Sequence, residues 1–470
     1  MYTSPKSFSL SCLFLLMLAG LTYGQSGHNH GVGSDHSHSP NDGDRATHMP
    51  VDYSFRSDAT RYSPPVADED GFYWWKGNLH THTLWSDGDQ FPEIATQWYY
   101  EHGYHFLALS DHNILSRGKK WVNMENRRDV YDLYRERLGD DWIETRQGDD
   151  GLYVRLKPLA EVRSLFEQSG RFLMIESEEI TVSERIVHVN ATNILDYIEP
   201  EAAETVEETI RINMNAVAEQ RDRTGQEMIS HLNHPNFRNA VTAEDMAPVE
   251  NMRLFEVYNG HRGVLNYGGE GGVKDLDRVW DIVLTKRLGE YNLEPVFGVA
   301  VDDAHNYEES SSYTARPGRA WIEVRSRYLT PEHMVRALET GNFIASSGVR
   351  VANVRSDGQR YSVSIEPEAD VEYTIQFIGT RQGYDPSSQP FVDSDNLIRH
   401  DRTRHYSDDI GEILQETTGR EASYEFTGDE LYVRVRVVSD KVKQNYFTEG
   451  EVEKAWLQPL RPGQLYGGSH

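Results

Sequence analysis

Short apolar runs recur along this chain, and most of them break off into histidine, aspartate or glutamate. Phe106-Leu107-Ala108-Leu109-Ser110 runs into Asp111-His112-Asn113, and Phe172-Leu173-Met174-Ile175 is closely followed by Glu176, Glu178 and Glu179. Met228-Ile229-Ser230 leads to His231-Leu232-Asn233-His234-Pro235, residues 254–258 lead to Asn259-Gly260-His261, and residues 296–301 lead to Asp302-Asp303-Ala304-His305. Short runs of this kind read as buried strands. Helical patterns lie between them, over residues 92–102, over 201–224 with Gly225 as the stop, and over 275–288. Alternating strand and helix predict an α/β fold with a mainly parallel sheet or barrel. Core packing alone does not set ionisable residues repeatedly at the same end of the strands. A barrel does, because the carboxyl ends of its strands converge on one rim.

The first contribution to that rim is His80-Thr81-His82 with Ser86-Asp87-Gly88, just past the aromatic strand pattern Phe72-Tyr73-Trp74-Trp75. In an extended strand His80 and His82 share a face, with Cα atoms roughly 6–7 Å apart, close enough for both rings to reach one metal ion. Ser86-Asp87-Gly88 reads as a turn that swings a carboxylate back to the same point. Val187-His188-Val189 adds a further histidine on a short strand.

Residues 114–170 are highly charged and read as an insertion over one end of the fold, a lid or cap. Thr330-Pro331-Glu332 opens one more helix and Gly341 ends it. Beyond about residue 350 the periodicity changes to strand-type alternation, at residues 361–365, 371–378 and 431–438, so residues 351–470 read as a small all-β, sandwich-like domain that braces the rest.

The amino terminus reads as a signal peptide over residues 1–24: Lys6, an apolar run over 10–21, then Thr22-Tyr23-Gly24. That makes the protein secreted or periplasmic, and the run is too short for a comfortable membrane span. Cys12, the single cysteine, falls inside it, so the mature chain has no disulfide and no thiolate ligand. Residues 25–70 read as a disordered linker rich in His, Gly, Ser and Asp. The net charge of −28 argues against a nucleic-acid partner. Oligomeric state is not legible.

The candidate ligands are His80, His82, Asp87, His112, Glu179, His188, His231, Asp303 and His305, with His234 and Asp302 as alternatives to their neighbours. His231 ranks ahead of His234 because it stands directly at the strand end, and only one of Asp302 and Asp303 can face the site. Asp111 is expected to support a ligand rather than be one. Nitrogen and oxygen donors without sulfur suit Zn, Mn or Fe, and the set is too large for one ion and fits two or three. The expected catalyst is a metal-bound hydroxide held by these ligands, with no protein nucleophile. Arg316 and Arg319 are candidate contacts to a substrate anion, and His261 a further substrate-side residue.

Taken in order, these motifs resemble the PHP (polymerase and histidinol phosphatase) superfamily of metal-dependent hydrolases. His80-Thr81-His82 with Ser86-Asp87-Gly88, Ser110-Asp111-His112-Asn113, Glu179-Ile180-Thr181 and Asp303-Ala304-His305 carry the resemblance. Ala337-Leu338-Glu339-Thr340-Gly341-Asn342 with Ser346-Ser347-Gly348 is similar to its carbaryl-hydrolase-like branch. The resemblance implies a distorted (β/α)7 barrel over residues 71–350 with a two- or three-metal site. It also implies a phosphoesterase acting on a small anionic substrate, with carbamate or carboxylic ester hydrolysis as the alternative. A catalytically retired metal- or surface-binding protein is the reading from another class, and the completeness of the ligand set argues against it.

Overall fold

The computed structural model describes residues 64–308 and 314–467. The expected signal peptide and residues 25–63 of the expected linker lie outside them. Among the described residues no helix is long and apolar enough to cross a membrane. Residues 64–70, the end of the expected linker, are among those described. The Asp68 carboxylate accepts from Phe72 N and from Arg325 Nε, at 2.9 and 2.7 Å, which ties the segment to the fold.

The first half of the chain runs β1 (Tyr73–Asn78), α1 (Pro92–Glu101), β2 (Phe106–Leu109), β3 (Lys120–Asn123), α2 (Arg128–Leu138), β4 (Thr145–Gly148), β5 (Gly151–Leu156), α3 (Leu159–Phe166), β6 (Leu173–Val182) and β7 (Val187–Thr192). It continues with α4 (Val206–Thr224), β8 (Ile229–Leu232), α5 (Ala243–Met246), β9 (Leu254–Asn259), α6 (Leu276–Lys286) and β10 (Phe297–Val301). Local chemistry sets the helix ends. Thr205 caps α4 by accepting from Glu208 N, and Gly225 closes it in the left-handed region at φ 72°.

These strands lie side by side in the order β10-β9-β8-β7-β6-β2-β1. Neighbours run parallel except β7, which is antiparallel to both β6 and β8. The far edge returns to the near one. Just past β10 and β1, Ala304 and Thr81 form a parallel bridge, with His82 N donating to Ala304 O at 2.9 Å and Asp303 N to His80 O at 3.1 Å. The carboxyl ends of the first and last strands are thus stitched together where the histidines and aspartates stand.

Glu176, Glu178 and Glu179 lie within a strand rather than after one. β6 outruns its ladder with β2, which ends at Glu176, because it also pairs with β7 from Ser177↔Thr192 to Val182↔Val187. The insertion forms an antiparallel sheet, β4-β5-β3, with α2 and α3 beside it. Its apolar core, including Tyr134, Val154 and Leu156, is shared with Leu84, Trp85 and Phe91, so it buttresses the turn that carries Asp87.

The second half runs β11 (Trp321–Ser326), α7 (Pro331–Glu339), β12 (Phe343–Ser346), β13 (Val351–Ser356), β14 (Arg360–Ile365), β15 (Tyr373–Arg381), β16 (Ser388–Gln389), β17 (His405–Tyr406), β18 (Glu412–Thr418), β19 (Glu421–Glu425), β20 (Glu430–Val442) and β21 (Val452–Leu460). The large sheet continues from β1 through β11-β12-β21-β20-β15-β18, while β13-β14-β19 forms a separate sheet. Tyr361, Val363, Ile375, Phe377, Val435 and Leu457 are among the residues of the apolar core these strands share. Hydrogen bonding crosses the expected boundary near residue 350 without a break, since β12 pairs with β21 at Ile344↔Leu457.

A buried histidine away from the rim is expected to make the fold acid-sensitive. His105 is 6% exposed, and its Nδ1 accepts from Lys76 N at 3.0 Å. Burial, with Arg171 and Lys76 nearby, pushes its pKa from 6.5 down to about 4. Between those values the unfolded chain takes up a proton that the folded chain refuses. Stability is therefore expected to fall as the pH drops from 6.5 to about 4. A His105→Gln variant should show a flatter decline than the wild type in urea midpoints measured across that window. Equal slopes would refute the assignment.

Candidate metal centre

Most of the residues the sequence singled out converge on one rim, past the carboxyl ends of β1, β2 and β10, inside β6 and at the amino end of the antiparallel β7. At the centre His80 and His82 point their Nε2 atoms at one another, 3.0 Å apart. Glu179 Oε2 lies 3.4 Å from the first and 3.3 Å from the second, and Asp303 Oδ1 lies 3.2 Å from each. Tetrahedral coordination with bonds of ~2.0–2.1 Å separates ligand atoms by about 3.3–3.4 Å, close to this spacing. Around it, His234 Nε2 lies 3.5 Å and His188 Nδ1 2.8 Å from Glu179 Oε1, and His112 Nδ1 lies 2.8 Å from Glu179 Oε2. Asp87, half-exposed, stands 3.4 Å from His305 Nε2, 3.5 Å from His82 Nδ1 and 3.6 Å from His112 Nε2.

Several overlapping groups could each hold an ion. They are His80, His82 and Glu179; His80, His234 and Asp303; His112, Glu179 and His188; His80, His231 and Glu256; and His82, Asp87, His112 and His305. A direct observation favours cations here. Glu179 Oε2 is buried and has no hydrogen bond of acceptable geometry, although imidazole nitrogens crowd it at 2.8–3.4 Å. A buried carboxylate oxygen left this way is costly unless a cation completes it.

The electrostatics agree. Burial opposes a charge on Glu179, but His112, His80 and His188 outweigh it and hold the carboxyl well below its usual range. Asp303 is lowered in the same way, against burial, by His80, His82 and His305. Burial also opposes charge on His80, yet Asp303, Glu256 and Glu179 raise it well above 6.5. His82 goes the other way: burial, then His305 and His112, press it down to about 3. The centre gathers ionised carboxylates and binds protons where a metal would otherwise balance them, so metal affinity should weaken with acidification.

Sequence reasoning passed over Glu256. It lies inside β9, fully buried, and accepts from His80 Nδ1 at 2.6 Å and from His234 N at 2.7 Å. Its bond to Nδ1 favours the tautomer in which the neutral His80 ring presents its Nε2 lone pair to the centre. The signal was present as a carboxylate in an otherwise apolar strand, Leu254-Phe255-Glu256-Val257-Tyr258. Asn233 and Asn259 were passed over too. Asn233 donates to Glu179 Oε1 at 2.8 Å, and Asn259 to Glu256 Oε2 and Asp303 Oδ2, at 2.8 and 3.0 Å.

Other expectations need revision. His234 meets Glu179, while His231 stands in a metal-competent group with His80 and Glu256. His231 is held within β8 and reaches Glu256 at 3.2 Å, while the chain past the strand turns at His234, φ 22°, and carries that ring to the centre. Asp302 points away: its carboxylate accepts from Gly318 N, Arg319 N, Ala320 N and Tyr99 Oη, at 2.7–2.9 Å. Asp303, at φ 50°, turns the other way. Asp111, expected to support a ligand rather than be one, accepts from Thr83 N, Thr83 Oγ1 and Ser86 Oγ, and the ligand it supports is Asp87, through its turn. Arg319 is fully buried and donates to Gly260 O at 2.7 Å, which makes it a brace rather than a contact for a substrate anion. Arg316 is half-buried in the same loop, and His261 stands at the mouth, 5.5 Å from the His305 ring.

The chain matches no family model and no curated protein. Among solved structures it is similar to a two-domain protein from Bacteroides vulgatus ATCC 8482 containing a predicted PHP-like metal-dependent phosphoesterase. The identity there is 16%, over 85% of this chain and 99% of that one, with a TM-score of 0.38. It is also similar to a candidate metal-dependent phosphoesterase from Bifidobacterium adolescentis ATCC 15703, at 14% identity over 53% of this chain and 91% of that one, with a TM-score of 0.27. Likenesses this loose add no weight to the geometry, on which the functional reading rests.

Proposed function

We propose that this protein is a metal-dependent phosphoesterase, with the buried cluster around Glu179 holding two or three divalent ions of the Zn, Mn or Fe type. The observation that carries the reading is Glu179 Oε2, buried among three imidazoles and lacking a hydrogen bond. Ions there would supply Lewis acidity, stabilising charge on a transferring group and providing a nucleophilic water at neutral pH. The chain's own work is positional. Glu256 orients His80, Asn259 steadies Asp303, and Asp111 fixes the turn that presents Asp87. No protein nucleophile is needed.

Charge bears on the substrate. Counting Asp87, Glu179, Asp303 and Glu256 as ionised, two divalent ions give a formal charge of about zero and three give about +2. Only the three-ion centre has a marked surplus for an anionic phosphate. A two-ion centre favours the second reading, cleavage of a neutral carbamate or carboxylic ester, which the Ala337–Gly348 similarity to carbaryl-hydrolase-like sequences also supports.

In this reading the strands β1, β2 and β6 to β10 make a distorted barrel, closed at Thr81 and Ala304, over residues 71–350. Residues 351–470 form an appended β domain. Lys6 and the apolar run after it support export, with the mature enzyme secreted or periplasmic.

Metal analysis of the purified chain, combined with a panel of aryl phosphate mono- and diesters and aryl carbamates, tests the proposal. Hydrolysis of a phosphate ester is expected, abolished by chelation and restored by a divalent ion. A metal-replete protein that cleaves carbamates and leaves every phosphate ester intact would replace the first reading by the second.

A further inference from the structure

Five half-buried rings border the open side of the centre. Successive centroids lie 5.6 Å apart from His112 to His188, 6.1 Å from there to Phe237, 6.2 Å on to His261, 5.5 Å on to His305 and 6.5 Å back to His112. Against these rings pack the buried His82 and His234, with His80, Glu179 and Asp303 buried beside them. A molecule that reaches those donors and keeps a portion outside must lay that portion across the rim. His112, His188 and His305 belong to metal-competent groups. Phe237 and His261 do not, and they are neighbours on the circuit.

That arc is built for its rings. A Cβ at Gly263 would sit 3.0 Å from both Phe237 Cε2 and His261 Nδ1, so the glycine lets both rings seat against the chain. Gly263 N donates to His261 Nδ1 at 3.1 Å, which leaves the proton of the neutral imidazole on Nε2 as a free donor. The Arg238 guanidinium lies over the Phe237 ring, 5.4 Å from its centroid, and Phe237 N is bonded to His234 O at 2.8 Å. Phe237 is the sole all-carbon ring of the circuit, and every other member also offers an aromatic edge or face. A planar aromatic group makes offset and edge contacts with such a border, whereas a short aliphatic alcohol does not span it.

Building on the phosphoesterase reading above, we propose that Phe237 and His261 form the subsite for the organic part of the substrate, and that this part is an aryl group. The ring lies against Phe237, and His261 Nε2 donates to the ester oxygen that joins ring to phosphate.

Calorimetric titration of the metal-loaded full chain with phenylphosphonate and with methylphosphonate, neither of which carries an ester to cleave, tests this directly. Phenylphosphonate is expected to bind about 10-fold tighter. The ratio should fall to near 1 in Phe237→Ala and keep an intermediate value in Phe237→Leu, which serves if the alanine variant folds poorly. Metal content of each variant reports that the centre is intact. Equal affinities in the wild type, or a ratio that survives in Phe237→Ala, would overturn the subsite and leave the phosphoesterase reading standing. Failure of both phosphonates to bind the metal-loaded wild type would overturn both.

Discussion

Replacing Glu179 by glutamine is expected to empty much of the centre of metal and to lower kcat/KM by at least about 10³-fold, equivalent to ~4 kcal/mol of transition-state stabilisation. The side chain is nearly isosteric, so the effect isolates charge and donor identity. Oε2 faces His80, His82 and His112, and Oε1 faces His188, His234 and Asn233, so one carboxylate belongs to two of the five donor groups and touches histidines of the other three. An amide removes the negative charge and puts an NH2 where a lone pair is needed. His80 also loses one of the carboxylates that hold its pKa up. Metal content by plasma emission and turnover of the best aryl phosphate, measured on the same preparation, decide the matter. A glutamine variant with full metal content and activity would mean that Glu179 is an ordinary buried acid.

Removing Arg434 is expected to produce the largest loss of stability, about 3–5 kcal/mol, because it leaves buried carboxylates without their cation. Arg434 is fully buried in β20 and reaches across to α6. It meets Asp281 through Nε and Nη2, each at 2.7 Å, and Asp277 through Nη1 at 3.0 Å. Asp277 keeps Arg436 and Trp456 as partners, but Asp281 would retain only the Tyr432 hydroxyl at 2.8 Å. An Arg434→Met chain should therefore unfold at a markedly lower urea midpoint. Adding Asp281→Leu should recover part of the loss, since an apolar pair of similar volume often does no worse than a buried ion pair. A double variant less stable than Arg434→Met alone would show that the carboxylate was not the source of the penalty.

This pair also shows where reading the sequence stops. Arg434 and Asp281 stand in segments recognisable as strand and helix, yet nothing in either segment says that they meet. The same holds for β12 and β21, whose pairing carries the large sheet across the boundary that periodicity placed near residue 350. A change from helical to alternating pattern reports local structure. It carries no information about which edge a later strand will join.

Within the metal centre the division follows the same line. His80, His82, Asp87, His112, Asp303 and His305 could be picked out because each follows the carboxyl end of a strand, and such ends share a rim, whereas Glu179 lies inside β6 and His188 at the amino end of β7. The choice between adjacent candidates could not be made that way. His231 or His234, and Asp302 or Asp303, are separated only by backbone direction at the strand ends, with His234 at φ 22° and Asp303 at φ 50°. Glu256 escaped because its partners, His80 Nδ1 and His234 N, are distant in sequence, and a single acid in an apolar strand has no motif around it. Arg319 was assigned by type and position, whereas its hydrogen bond shows it bracing a loop.

The sequence by itself indicated the α/β alternation and most of the donor side chains of the candidate centre, since strand period, helix caps and donor type are properties of contiguous residues. The tertiary structure alone decided which of two neighbouring side chains faces the centre, which acids and amides support it, and how five rings close around its mouth. Those depend on backbone direction at the strand ends and on contacts between residues distant in sequence, such as Ala304 with Thr81, which local patterns cannot encode.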